Sequence, residues 1–186
     1  MSAKNRTLFE PLDTAVIERL RHSFRPDRIT TLFVGESAPI GGTFFYDGNS
    51  QLYRYMRAAF DGRDDFLTEF KAKGFFLDDL VLLPVNHLTP SKRFELHRKW
   101  QPSLALRISE YRPLAVVSMM IGIKEVVEGA VAMAGLLNVS HYAVPFAGNG
   151  QQLRFRQEMS RILPLLPMAK ASEPRGNSGM SPIGSG

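Results

Sequence analysis

Four short apolar runs, separated by longer stretches of helical periodicity, constrain this chain more than any other feature. Residues 30–34 (TTLFV), 80–85 (LVLLPV), 114–119 (LAVVSM) and 140–144 (SHYAV) read as strands, and most are apolar along their whole length rather than alternating. Such runs suit strands buried on both faces. Around them apolar residues recur at helical spacing. Over 11–24 the stripe is Ala15, Val16, Ile17, Leu20 and Phe24, and further helices are expected over 51–60, 64–73, 91–111, 123–134 and 151–163. Pro102 predicts a kink in the longest of these. Strands joined by helices of about ten or more residues pair in parallel. The expected fold class is therefore α/β: a three-layer α/β/α sandwich around a central four-stranded parallel sheet.

At 186 residues the chain has the length of one domain. That domain is expected over 1–167, with a Gly/Ser/Pro-rich stretch over 168–186 whose composition is that of a flexible tail. The formal net charge of +5 permits a polyanionic partner without arguing for one. There is no cysteine, which excludes a disulfide framework, thiolate metal sites, a Cys nucleophile and a Cys-ligated iron–sulfur cluster. The first residues lack an apolar signal core, and no run approaches 18 consecutive apolar residues. A soluble, cytoplasmic protein with no membrane partner is expected.

In open parallel sheets ligands bind outside the carboxyl ends of the strands. The unusual residues fall there: Gly35 to Asn49 after the first strand, Asn86 to Pro90 after the second, Pro145 to Gln151 after the fourth. The first loop is not a P-loop, since no Gly-Lys-Ser/Thr follows, and the dinucleotide-binding G-x-G-x-x-G is absent. Gly35-Glu36-Ser37-Ala38-Pro39 has Pro where a nucleophile elbow has its second Gly. A small α/β hydrolase using Ser37, with Asp78 and His141 recruited as partners, stays open as a third reading.

The first loop resembles motif A of the uracil-DNA glycosylase superfamily. Gly35-Glu36-Ser37-Ala38-Pro39 is similar to the Gly-Glu-Ala-Pro-Gly turn of the thermophile-type branch, with one extra residue before the proline. Gly48-Asn49-Ser50-Gln51-Leu52-Tyr53 resembles the Gly-Asn-Arg-Phe-Trp segment of the mismatch-specific branch. The resemblance runs from about Thr30 to Leu166 and implies the sandwich fold. It also implies a phenylalanine beneath a flipped base, which is Phe44 when aligned on Asn49, with Phe45 as the alternative. Members place an Asn at the end of the second core strand to read the base edge, and Asn86 is offered for that role. Its carboxamide presents both an acceptor and donors on one plane.

Two departures accompany the resemblance. Where many members have a His after the fourth strand, this chain has Val144, ahead of Pro145-Phe146-Ala147-Gly148-Asn149-Gly150. Asn149, or the backbone N–H groups near Gly148 and Gly150, is then expected to face the charge that develops on the base. The chain also lacks the cluster cysteines of the branch its first motif most resembles. Glu36 stands at the water-positioning place of motif A, with its carboxylate either touching the water or turned away. Arg154 and Arg156 follow the last loop closely enough to hold DNA phosphates.

The function implied is a monofunctional DNA glycosylase acting on DNA that contains uracil or another deaminated base, with no metal or organic cofactor. The alternative is a catalytically silent member that binds nucleic acid or a nucleobase-like ligand.

Overall fold

The computed structural model describes residues 14–62 and 64–170. Its elements are α1 (Thr14–Ser23), β1 (Thr31–Gly35), α2 (Gln51–Ala59), α3 (Phe66–Ala72), β2 (Phe75–Asp79), α4 (Pro90–Tyr111), β3 (Ala115–Ser118), α5 (Lys124–Met133), β4 (Ser140–Ala143) and α6 (Gln152–Ile162). A 3₁₀ turn over Phe45–Asp47 precedes α2, and others cover Ile121–Ile123 and Leu163–Leu165. The four strands form one parallel sheet in the order β2-β1-β3-β4. The crossover from β1 to β2 runs one way along the sheet, and those from β2 to β3 and β3 to β4 run the other way. With a common right hand this puts α2 and α3 on one face and α4 and α5 on the opposite face. The packing agrees, since α4 lies on α5 and α2 lies on α6. The expected three-layer sandwich is the observed fold.

The sheet register places Gly35, Asp79, Ser118 and Ala143 along the carboxyl edge. Strands β1, β2 and β3 are buried at every position, whereas β4 is only partly covered. Phe33, Phe60, Phe66, Phe70 and Phe75 interlock between the sheet and α2–α3, with ring centroids 5.3–5.9 Å apart. Aromatic pairs in tilted or edge-on contact add to plain area burial.

One strand differs from expectation. The second strand is Phe75–Asp79, and residues 80–85 form irregular chain beyond its end. The reason is electrostatic. Two adjacent aspartates argue against a buried strand, yet Asp78 and Asp79 are 1% and 4% exposed. They are compensated from far along the chain. The Arg21 guanidinium of α1 bonds Asp79 Oδ2 at 2.8 Å and lies 3.4 Å from Asp78 Oδ1. Arg107 of α4 bonds the other Asp78 oxygen and the Asp79 carbonyl, and the Tyr111 hydroxyl donates to Asp78 at 3.2 Å. The apolar run that follows still enters the core through Leu80, Val81 and Val85. Leu80 and Val81 keep bonding β1 through the carbonyls of Gly35 and Glu36.

As an edge strand, β2 exposes unpaired backbone groups that need cover. Tyr46 supplies it: its hydroxyl accepts from Leu77 N–H at 2.7 Å and donates to Leu77 C=O at 3.0 Å.

Helix α4 runs unbroken through Pro102 and starts at Pro90, where a missing N–H costs no intrahelical bond. The first helix is described only from Thr14, so positions 11–13 of the stripe expected over 11–24 lie outside the described residues. Backbone near the end of the described residues is bonded to the rest of the fold through Ala169. Thr30 and Thr31 hydroxyls donate to the Pro167 carbonyl at 2.8 and 2.9 Å, and Ala169 N–H donates to Lys73 C=O at 2.9 Å. The expected tail from 171 onward lies outside the described residues.

Candidate functional site

A cavity of about 570 Å³ opens outside the carboxyl edge of the sheet, within the range usual for small-molecule sites. Six residues singled out in the sequence line it together: Glu36, Ser37, Phe44, Phe45, Asn86 and Asn149. They come from three loops that only the sheet topology brings to one place. Gly35 at the mouth of β1 has a steric role here, because a Cβ at this position would collide with Asp79 Oδ1.

Glu36 leaves the end of β1 toward α4. Arg93 Nε donates to its Oε1 at 2.8 Å, Arg93 Nη2 donates to Oε2, and His97 Nε2 lies 2.8 Å from Oε1. Arg93 and His97 are four residues apart, hence neighbours on one helix face. Burial by itself would raise the Glu36 pKa. The hydrogen bonds with His97 and Arg93, and their charge, prevail and hold it below the usual carboxylate range. The carboxylate is therefore fixed and ionised at neutral pH. Neither partner was foreseen. Arg93 reads as part of a solvated basic helix face, and the available clue was its i, i+4 spacing to His97.

Phe44 and Phe45 differ in surroundings. Phe45 sits among Tyr46, Tyr53, Phe66 and Phe70, with centroids 5.0–6.1 Å away. Phe44 touches Tyr46 edge-on at 5.7 Å and carries the Arg21 guanidinium 5.2 Å from its ring centre. Its backbone N–H is held by Asn49 Oδ1 at 2.7 Å, which locks the loop. Both rings are buried, at 2% and 3% exposed, and Phe45 has the larger set of aromatic neighbours. Phe45→Ala is expected to destabilise the fold by about 3–5 kcal/mol in urea titration, so any loss of function in that variant reports stability first.

Asn86 is not at the end of the second strand as expected, because that strand ends at Asp79. It still reaches the cavity from the following loop, where its Oδ1 accepts from Ile40 N–H at 3.1 Å. That bond fixes the amide and leaves its NH₂ as the group offered to a ligand. Neighbouring His87 is exposed and does not line the cavity.

The residue at the strand end, Asp79, was missed by the sequence reading and lines the cavity. Its side chain is 6% exposed. Burial pushes its pKa up, with the Arg21 charge and hydrogen bond opposing.

Asn149 adopts a left-handed backbone conformation (φ +54°), which asparagine tolerates better than most residues, and Gly150 follows at φ +78°. These two positions turn the chain from β4 into α6. Asn149 also lines a second hollow of about 240 Å³ that shares Met120 and Phe146 with the first and is bordered by Arg154. Arg154 Nη1 bonds Gln151 Oε1 at 3.3 Å. Arg156 is exposed and borders neither hollow. Two residues apart on a helix, the arginines face different directions and do not act as a pair.

The hydrolase constellation does not assemble. Ser37 Oγ accepts from Val85 N–H at 3.3 Å, and Asp78 is committed to Arg21, Arg107 and Tyr111. His141 Nε2 pairs with Ser118 Oγ at 3.2 Å, and its Nδ1 lies 2.9 Å from Glu128. Val144, at the place of the absent histidine, is fully buried. Among the described residues no group of His, Asp and Glu is arranged to hold a metal ion, and no helix is long and apolar enough to cross a membrane. Neither protein-family models nor curated proteins give a match to this chain.

Proposed function

We propose that this protein is a monofunctional DNA glycosylase of the uracil-DNA glycosylase superfamily, hydrolysing the N-glycosidic bond of a flipped uracil or other deaminated base. The observation that supports it is the convergence of Glu36, Phe44, Asn86 and Asn149 on one cavity at the carboxyl edge of a parallel sheet. In this reading the flipped base stacks on Phe44, whose ring Tyr46 supports edge-on. The Asn86 NH₂ donates to a base carbonyl. As the glycosidic bond stretches, negative charge grows on the base and positive charge on the sugar. Asn149 faces the first, and the ionised Glu36 carboxylate, fixed by Arg93 and His97, stabilises the second and holds the attacking water. Arg154, at the rim, holds a phosphate of the strand.

Purified protein is expected to release uracil from a single- or double-stranded oligonucleotide, and Asn86→Ala to lose most of that activity with its thermal stability unchanged. Absence of release from uracil, hypoxanthine and xanthine substrates at high enzyme excess overturns the enzymatic reading. One observation favours the runner-up, a catalytically silent binder of nucleic acid or a nucleobase-like ligand. Arg93 and His97 already occupy both Glu36 oxygens, and no histidine stands after β4. Salt-dependent DNA binding without base release identifies that case.

A further inference from the structure

The chain around the end of β4 builds the second hollow, of about 240 Å³, against the first cavity. The two share Met120, Phe146 and Asn149 as walls, so a polymer with one unit in the first can set the next unit in the second. Ile121 and Pro145 join Met120 and Phe146 as an apolar side, and Arg154 closes one end. Ile121 and Phe146 are 55% and 39% exposed, so neither is spent on the core. Phe146 is nonetheless seated. A Cβ on Gly148 would fall 2.5 Å from its Cε1, so the ring lies directly over that glycine. Gly148 lacks the positive φ that calls for glycine at Gly150, which leaves room for the ring as the reason for its size. An exposed aromatic ring held beside an apolar slot is a surface on which a flat group stacks. Arg154 gives one N–H to Gln151 Oε1 and makes no ion pair among the described residues, so its charge is left for an anion.

We infer that the second hollow receives the base next to the flipped one, and that the substrate is therefore single-stranded DNA. The inference rests on the base-excision reading above and narrows its substrate class. Consecutive nucleotides share one phosphate, and two adjoining hollows with a cation at the rim match that repeat of base, phosphate and base. In a duplex the neighbour of a flipped nucleotide stays paired and stacked, and it reaches such a hollow only by breaking a second pair. In a single strand it is already free. The walls also set what is read. Met, Ile, Pro and Phe side chains give a π-face and apolar contact but no strong donor or acceptor for a base edge, so they tolerate any of the four bases. The hollow selects strandedness and leaves sequence context open.

The test is fluorescence anisotropy with a short single strand carrying one uracil, the same strand with an abasic residue on its 5′ or its 3′ side, and the uracil-containing duplex, in parallel with base release from each. Removing the neighbouring base on one side is expected to weaken binding about tenfold, and the duplex to bind at least about tenfold more weakly than the single strand. The neighbour effect should vanish in Ile121→Ala, since Ile121 lines only the second hollow, and in Gly148→Ala, whose methyl displaces the Phe146 ring. Ile121 is exposed, so its truncation leaves the core intact. Equal binding with and without either neighbour, duplex binding as tight as that of the single strand, or a neighbour effect unchanged in both variants overturns the inference. Base release that ignores both neighbours sinks the second subsite and leaves the glycosylase reading standing. A neighbour effect on binding without release of any base does the reverse.

Discussion

Arg21→Met is expected to destabilise the protein by about 3–5 kcal/mol, the range found when one partner of a buried ion pair is removed. The guanidinium is 1% exposed and touches Asp79, Asp78, Glu18 and the Leu77 carbonyl. Methionine fills much of the volume but leaves Asp79 Oδ2 without the Arg21 bond. The loss therefore measures an orphaned charge more than a cavity. Adding Asp79→Asn to Arg21→Met should recover part of the loss, because a neutral amide is cheaper to leave buried than a carboxylate. Urea denaturation of wild type and the two variants reads this directly. A destabilisation below about 1 kcal/mol for Arg21→Met would mean that water reaches the cluster and that β2 does not depend on it.

Glu36→Gln is expected to lower base release by about 10²- to 10³-fold, the range for removing one preorganised electrostatic group. Gln keeps one oxygen for Arg93 and His97, so the fold should hold and the loss should appear in kcat. The pH dependence has a definite sign. The folded pKa of Glu36 lies below the ordinary value of 4.5. Its contribution to stability is therefore complete above that ordinary value and disappears as pH falls through the lower folded one. The acid limb of wild-type activity should likewise lie below pH 4.5 if Glu36 governs it. Single-turnover rates between pH 3.5 and 7, with circular dichroism to exclude unfolding, check both points. An acid limb near pH 6 would assign control to another group.

These two expectations separate what could be read along the chain from what could not. The strands at 30–34, 114–119 and 140–144 were legible because apolar β-rich runs and the helices between them carry their own period. The first loop was legible because its Gly, Pro and Asn residues are turn-formers set directly after a strand. Asn86 reached the cavity even though the strand before it was placed five residues too late. Loops after neighbouring parallel strands converge on one edge whatever their exact boundaries.

The misplaced strand shows the limit. Asp78 and Asp79 look like a solvated turn, and the apolar run just after them looks like the better strand. The structure reverses this because Arg21, 58 residues from Asp79, and Arg107, 29 residues from Asp78, bring opposite charge to the same buried place. Arg93 and His97 closing on Glu36, from 57 and 61 residues away, are a second instance. Local pattern is set by interactions between near neighbours, so the sequence by itself determined the parallel α/β sandwich, its loop-bearing edge and most of the residues on it. The value of a charge depends on which distant charge folding places beside it. Only the tertiary structure decided that a pair of aspartates would form a buried strand and that one of them would line the cavity.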